Sequence, residues 1–220
     1  MTEIEAIRAR HAVRNYTAKP LSPEIIDELR QEIEQCNRQG QLHIQLVTEN
    51  EDAFKTFIPL FGRFKNVKNY IALAAKKQGD FYVKCGYCGA RLMVKAQQAG
   101  LNSCWVTNTY NAKKCPVTLA PDEELVGVIA IGYGTTDGTQ HKSKSMERLC
   151  KPCSDKWFLD GMNAAVLAPT GLNRQDFFIE ANGNTVSIRT KDNHPMSQIN
   201  TGIVKYHFEI GAGRENFNWE

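Results

Sequence analysis

The sequence has no long apolar run. Its most hydrophobic stretch, Leu125 to Tyr133, is interrupted by glycine and is far too short to span a bilayer, so a membrane partner is not expected. The first residues, Met-Thr-Glu-Ile-Glu, carry no basic region followed by an apolar stretch, which predicts a cytoplasmic protein rather than a secreted one. Excess charge is also lacking. Lys and Arg total 27 against 24 Asp and Glu, a net +3. That falls short of the concentrated basic field nucleic acid requires, and suits an anionic small molecule equally well. No Gly-x-Gly-x-x-Gly string occurs, so nothing marks a Rossmann nicotinamide site. No Ser-His-Asp or Cys-His constellation marks a side-chain nucleophile. Cysteine is present seven times, an odd number, and reads as thiols rather than as a disulfide framework.

The chain does have enough apolar residues for a core: 42% of 220 residues, sufficient for one large domain or two small ones. Thr2-Glu3-Ile4-Glu5 reads as a capping box and predicts a short helix to about Arg10. Val13 to Thr17 looks extended. Ser22-Pro23 starts a second helix whose buried stripe is Ile25, Ile26, Leu29, Ile33 and Cys36. Residues 42–48 alternate as a half-buried strand, and Tyr70 to Ala75 reads as a buried one. Phe81 to Ala99 is helical and stops at Gly100. Residues 103–107 and 125–132 are further strands, and Lys142 to Lys151 is the most linker-like stretch. Trp157 to Ala168 forms a helix that Pro169 ends. Phe177 to Glu180 and Thr185 to Thr190 form a hairpin across Asn182-Gly183, and Ile199 to Ile210 is a last helix. The order predicts an α+β fold with helices on both faces of a sheet. An echo between Gly89 to Gly100 and Gly202 to Gly213, each followed by a tryptophan, leaves chance and internal duplication both open.

Three strings carry candidate chemistry. Arg8, Arg10, His11 and Arg14 crowd the exit of the first helix, where forked guanidinium donors match phosphate oxygens. A solvated charged face would use the same residues. Lys142, Lys144 and Arg148 form a second basic cluster beyond the Gly132-Tyr133-Gly134 strand exit, either a ligand loop or a flexible basic one. Ala168-Pro169-Thr170-Gly171-Leu172-Asn173-Arg174-Gln175 bends sharply and presents short polar groups that could edge a flat heterocycle, or simply turn the chain.

Taken together, these strings resemble the FMN-dependent nitroreductases. Arg10-His11-Ala12-Val13-Arg14 is similar to the family's phosphate-binding start, Gly100 to Val106 to its Gly-Leu-Gly-Ser-Cys-Trp strand entry, and Val128 to Tyr133 to its Leu-Gly-Tyr strand end. Lys142-Ser143-Lys144 and Ala168 to Gln175 resemble its basic clamp and its Ala-Pro-Ser-x-x-Asn-x-Gln loop. That loop lies early in ordinary members and late here, as in a subgroup with a rearranged second half.

The resemblance implies a central, mostly antiparallel sheet flanked by helices, with residues 1–148 as a first half and 149–220 as a second half carrying the loop in the same globule. It implies FMN held by Arg10, His11, Ala12, Arg14, Arg63, Thr107, Asn108, Lys142, Lys144, Pro169, Thr170 and Asn173. Ala12 replaces the usual serine and loses one phosphate hydrogen bond, on the order of 1 kcal/mol. NADH or NADPH would be the co-substrate, and a nitroaromatic, quinone or similar small molecule the acceptor. Flavin N5 would carry the chemistry, so no catalytic side chain is expected. Ordinary members are homodimers. A duplicated half within one chain would instead make a monomeric pseudo-dimer with Arg10 and Thr170 on one flavin.

Rival readings are a non-enzymatic flavin holder, a related flavoenzyme with other chemistry, and a metal protein. The last would use Cys85-Gly-Tyr-Cys88 and Cys150-Lys-Pro-Cys153, two pairs at the spacing of a zinc or iron–sulfur site. Cysteine on an apolar helix face is also an ordinary small core residue, so no metal site is assigned.

Overall fold

A computed structural model describes residues 1–55 and 64–220, which divide into two compact units. One comprises Ala9–Phe81 and Leu92–Gln140, and the other Met1–Arg8, Tyr82–Arg91 and His141–Glu220.

The first unit is built on four antiparallel strands, β1 (Gln45–Val47), β2 (Asn69–Lys76), β3 (Asn102–Val106) and β4 (Glu123–Gly132), in the order β1-β2-β4-β3. Seven of the eight residues of β2 are buried, which is why it shows no polar alternation. Its register with β4, Tyr70 to Ala130 and Ala72 to Val128, puts these four residues in one apolar cluster. Val13 and Tyr16 join that cluster, and the Tyr16 hydroxyl donates to the carbonyls of Val13 (2.7 Å) and Ala130 (3.2 Å). Phe64 packs against the same cluster and lies edge-on to Phe54 at 5.2 Å. The expected strand 42–48 pairs continuously only over Gln45–Val47. Ile44 is withdrawn from the ladder because the Asn37 side chain takes both its N–H (2.7 Å) and its carbonyl (2.9 Å). Asn37 belongs to α2 (Pro23–Gly40), which is capped as expected. Ser22 Oγ accepts from Ile25 N at 3.4 Å, and Leu29, Ile33 and Cys36 are its buried stripe.

In the second unit, α1 (Glu3–Ala9) opens with the predicted reciprocal cap. Thr2 N donates to Glu5 Oε2 (2.8 Å) and Glu5 N to Thr2 Oγ1 (3.3 Å). Residues Tyr82–Arg91 of α3 (Phe81–Gln98) also belong here, with α4 (Lys156–Ala165), β5 (Phe177–Asn182), β6 (Thr185–Thr190), α5 (Pro195–Ala212) and β7 (Asn218–Trp219). β5 and β6 form the expected hairpin, with Gly183 at φ 58°, and β7 adds in parallel to β6. Helix α4 ends three residues before the expected Ala168, where the Val166 carbonyl is taken by Ser143 Oγ (3.1 Å). Helix α5 starts four residues earlier than expected, because Pro195 fits its first turn and His194 Nδ1 accepts from Met196 N at 3.3 Å.

The last turns are tied to Tyr87 of α3. Glu209 accepts from Tyr87 Oη (2.6 Å), Arg214 Nε (2.9 Å) and Trp219 Nε1 (2.9 Å). Nearby, Phe217 stacks on Trp157 at 5.7 Å.

Helices α3 and α5 cross with their backbones in contact at two glycines. A Cβ on Gly86 would sit 2.1 Å from the Ile199 carbonyl oxygen, and one on Gly202 would sit 1.9 Å from that of Val83. The relation is reciprocal: each glycine faces the carbonyl three residues before the other. Both helices have 18 residues, and Gly100 (φ 79°) and Gly213 (φ 77°), which follow them, are left-handed. The crossing thus runs through Gly86 and Gly202. Among the described residues no helix is long and apolar enough to cross a membrane.

Because the neighbour at each glycine is backbone, it cannot yield. Gly202→Ala is expected to cost roughly 3 kcal/mol and to lower Tm by about 6–10 °C. Calorimetry checks this, and an unchanged Tm contradicts the crossing.

Candidate functional site

In the sheet unit, Arg10 leaves α1 and turns inward. The residue is 3% exposed, and its Nε and Nη1 are buried without a hydrogen-bond partner. Burial pulls its pKa down to about 10, which still leaves the guanidinium charged at neutrality. An uncompensated buried cation costs several kcal/mol unless an anion answers it. Two residues on, Ala12 bridges Ser103 at the start of β3 in parallel, with Val13 N donating to Ser103 O at 3.2 Å. The Ser103 hydroxyl is buried and also lacks a partner. His11 is half-buried beneath Gly138, where a Cβ would come within 2.9 Å of its own. Arg14 is exposed, and its backbone carbonyl accepts from Lys65 N (3.0 Å). Burial raises the Cys104 thiol pKa, against the opposing charges of Arg14 and Arg10. Thr107 and Asn108 follow β3 at its far end, with Thr107 half-buried and Asn108 exposed. Arg63 lies outside the described residues.

Within the sheet unit, therefore, Arg10, His11, Ala12 and Arg14 gather at one end of β3 and Thr107 and Asn108 at the other. Thr107 is four residue steps on from Ser103, roughly 13 Å of strand.

In the second unit the strands of loop at 141–144 and 166–176 are stitched together. Asn173 Nδ2 donates to the Lys142 carbonyl (2.9 Å), and Lys144 N donates to Gln175 Oε1 (2.6 Å). The Lys144 ammonium is held by the Gln175 carbonyl and Asp176 Oδ1, both at 3.1 Å, so it organises the loop before it can meet any ligand. Thr170 is buried, and its Oγ1 accepts from Gln175 N at 3.1 Å. Gly171 N donates to Asn200 Oδ1 (2.9 Å), and a Cβ on Gly171 would collide with Met196 Sδ. Pro169 is half-buried and Lys142 exposed.

Leu172, Asn173 and Gln175 all have left-handed φ, at 53°, 53° and 47°. For leucine this conformation costs about 1–2 kcal/mol. Leu172 is nevertheless 85% exposed, so packing does not repay the strain. The surrounding hydrogen bonds hold that strain in place. Gln175 is the residue that sequence reasoning left out: it is buried and holds Lys144, Thr170 and Asn173 together. Its place at the end of the Asn-x-Gln string was the available signal.

Among the described residues none of the seven cysteines forms a disulfide. Among the described residues no group of three or more His, Cys, Asp and Glu side chains is placed to hold a metal, so the two C-x-x-C pairs do not assemble a four-cysteine site.

Comparison with known proteins gives a consistent family. The family described as "Putative TM nitroreductase" matches residues 3–212. Curated proteins supply no match. Among solved structures, a "putative nitroreductase" from Thermotoga maritima aligns with a TM-score of 0.70 at 20% identity, over 98% of this chain and 85% of that one. A "putative nitroreductase in complex with FMN" from Desulfovibrio desulfuricans aligns at 0.57 and 14% identity, over 70% of this chain and 99% of that one. A "Putative NADH dehydrogenase/NAD(P)H nitroreductase" from Parabacteroides distasonis aligns at 0.54 and 19% identity, over 67% and 95%. With the α+β architecture and a family match over nearly its whole length, this chain belongs to that nitroreductase family.

Proposed function

We propose that the protein is an FMN-dependent oxidoreductase that takes hydride from NADH or NADPH and passes it to a nitroaromatic, quinone or similar acceptor in ping-pong fashion. The observation that supports this reading is the buried guanidinium of Arg10, whose Nε and Nη1 have no hydrogen-bond partner among the described residues. The dianionic phosphate of FMN is a group of the right charge, and the relative from Desulfovibrio desulfuricans is described as a complex with FMN.

When bound, FMN supplies a site that accepts and donates hydride at N5. The chain's own residues would bind and orient it. In the sheet unit, Arg10, His11 and Arg14 are assigned to the phosphate, with the backbone at Ala12 beside them. Thr107 and Asn108 are assigned to the ring, one strand length away, a separation of the same order as FMN from phosphate to ring. In the second unit, Lys142, Pro169, Thr170 and Asn173 are assigned to flavin as well, with Lys144 holding their loop in shape. Arg63 stays in the proposal on the family resemblance alone. One FMN per chain is expected.

Two substitutions test the two units separately. Arg10→Met removes an unpaired buried charge, so the ligand-free protein should be no less stable. Its FMN affinity should fall roughly ten- to a hundredfold, the worth of one charge-assisted contact. Fluorescence titration measures this, and unchanged affinity would remove Arg10 from the site. Leu172→Gly relieves the left-handed strain, so Tm should rise by about 2–4 °C while FMN affinity and turnover drop. A stabilised variant with wild-type affinity and turnover would mean the loop's shape serves no ligand. For the activity itself, NADH or NADPH should bleach the bound flavin and a nitroarene should restore its colour. Failure to bleach with both nucleotides would leave a flavin holder.

A further inference from the structure

The pair Cys150 and Cys153 lies outside the residues assigned to flavin. Leu149–Lys151 runs beside β5, with Lys151 N donating to the Ile179 carbonyl (3.1 Å) and Ile179 N to that of Leu149 (2.9 Å). This fixes Cys150, whose buried thiol points to the Met146 carbonyl at 3.5 Å. Past Pro152, the half-buried Cys153 thiol lies 3.7 Å from Asp155 Oδ2. Both cysteines line one cleft of about 560 Å³, together with Met146, Glu147 and Leu159.

The chemistry of this cleft is soft. Three sulfur-bearing residues share its wall, and the remaining apolar surface includes Leu159. Zinc asks for four ligands in a closed tetrahedral site, and no third His, Cys, Asp or Glu completes such a group among the described residues. Thiolate and thioether donors at low coordination number select copper(I) instead.

We propose that Cys150 and Cys153, with Met146 as a third sulfur donor, form a binding site for copper(I). Binding forms two copper–thiolate bonds, breaks two S–H bonds and releases two protons to solvent. No electron is transferred, and the assignment does not rest on the flavin reading.

The test is an anaerobic titration of the fully reduced protein with copper(I) buffered by bicinchoninate, whose colour reports the free ion. One copper(I) per chain should be withdrawn from the chelator. Cys153→Ser should abolish the withdrawal, and so should Cys150→Ser. Met146→Leu should weaken it, on the order of tenfold. Thermal melts confirm that each variant folds, and if Cys150→Ser does not, the more exposed Cys153→Ser carries the test alone. The flavin spectrum should be the same in all of them. Wild-type protein that leaves the chelator fully coloured, or a folded Cys153→Ser variant that withdraws copper(I) as the wild type does, would overturn the proposal. A preference for zinc over copper(I) in the same competition would also overturn it.

Discussion

The feature on which the functional account turns is one positive charge in the wrong solvent. Arg10 is buried, remains charged, and has two guanidinium nitrogens without a partner. Such a group is costly to bury, because an apolar side chain of similar volume would be the more stable choice, and the proposed phosphate would repay that cost. The sheet is arranged to keep it there. Val13 and Tyr16 anchor the segment that follows into the apolar cluster on β2 and β4, and the Ala12 bridge to Ser103 sets that segment alongside β3. The strand ladder, the hydroxyl of Tyr16 and the bridge together hold the backbone at Arg10 in place, whatever its side chain costs.

The loop after α4 shows the same trade in backbone terms. Three non-glycine residues hold left-handed conformations there, and an exposed leucine is among them. The surrounding hydrogen bonds, from Gln175, Asn200 and the 141–144 segment, are what make those conformations the lowest in energy. A loop designed only to connect α4 to β5 would use glycine at these positions. The cost at Leu172 is therefore read as the cost of a shape.

Much of the fold was legible in the sequence, because its signals are local. The Thr2 and Glu5 box, the Ser22-Pro23 cap, the buried run at β2 and the turn after Asn182 each depend on neighbours a few residues away. The misreadings have a common cause. Ile44 leaves its strand because a helix residue seven positions earlier captures its backbone, and α4 stops early because a distant serine takes the Val166 carbonyl. Nor could spacing show that Gly86 meets the other helix. For the candidate site, residue types were legible and states were not. Arg10 and Lys144 looked alike as basic residues, yet one is an unpaired buried cation and the other an ammonium held by Gln175 and Asp176. Pairing is a property of the folded chain.

The family relation points to an oxidoreductase, and the proposed role of the unpaired charge is to meet a ligand's anionic end. Riboflavin and FMN share a ring and differ only in the phosphate, so their relative affinities isolate the interaction that matters. The account predicts that the protein stripped of flavin binds FMN at least roughly a hundredfold more tightly than riboflavin, about 2.7 kcal/mol, as measured by fluorescence quenching. Equal affinities for the two would contradict it, since Arg10 would then be buried for some other reason.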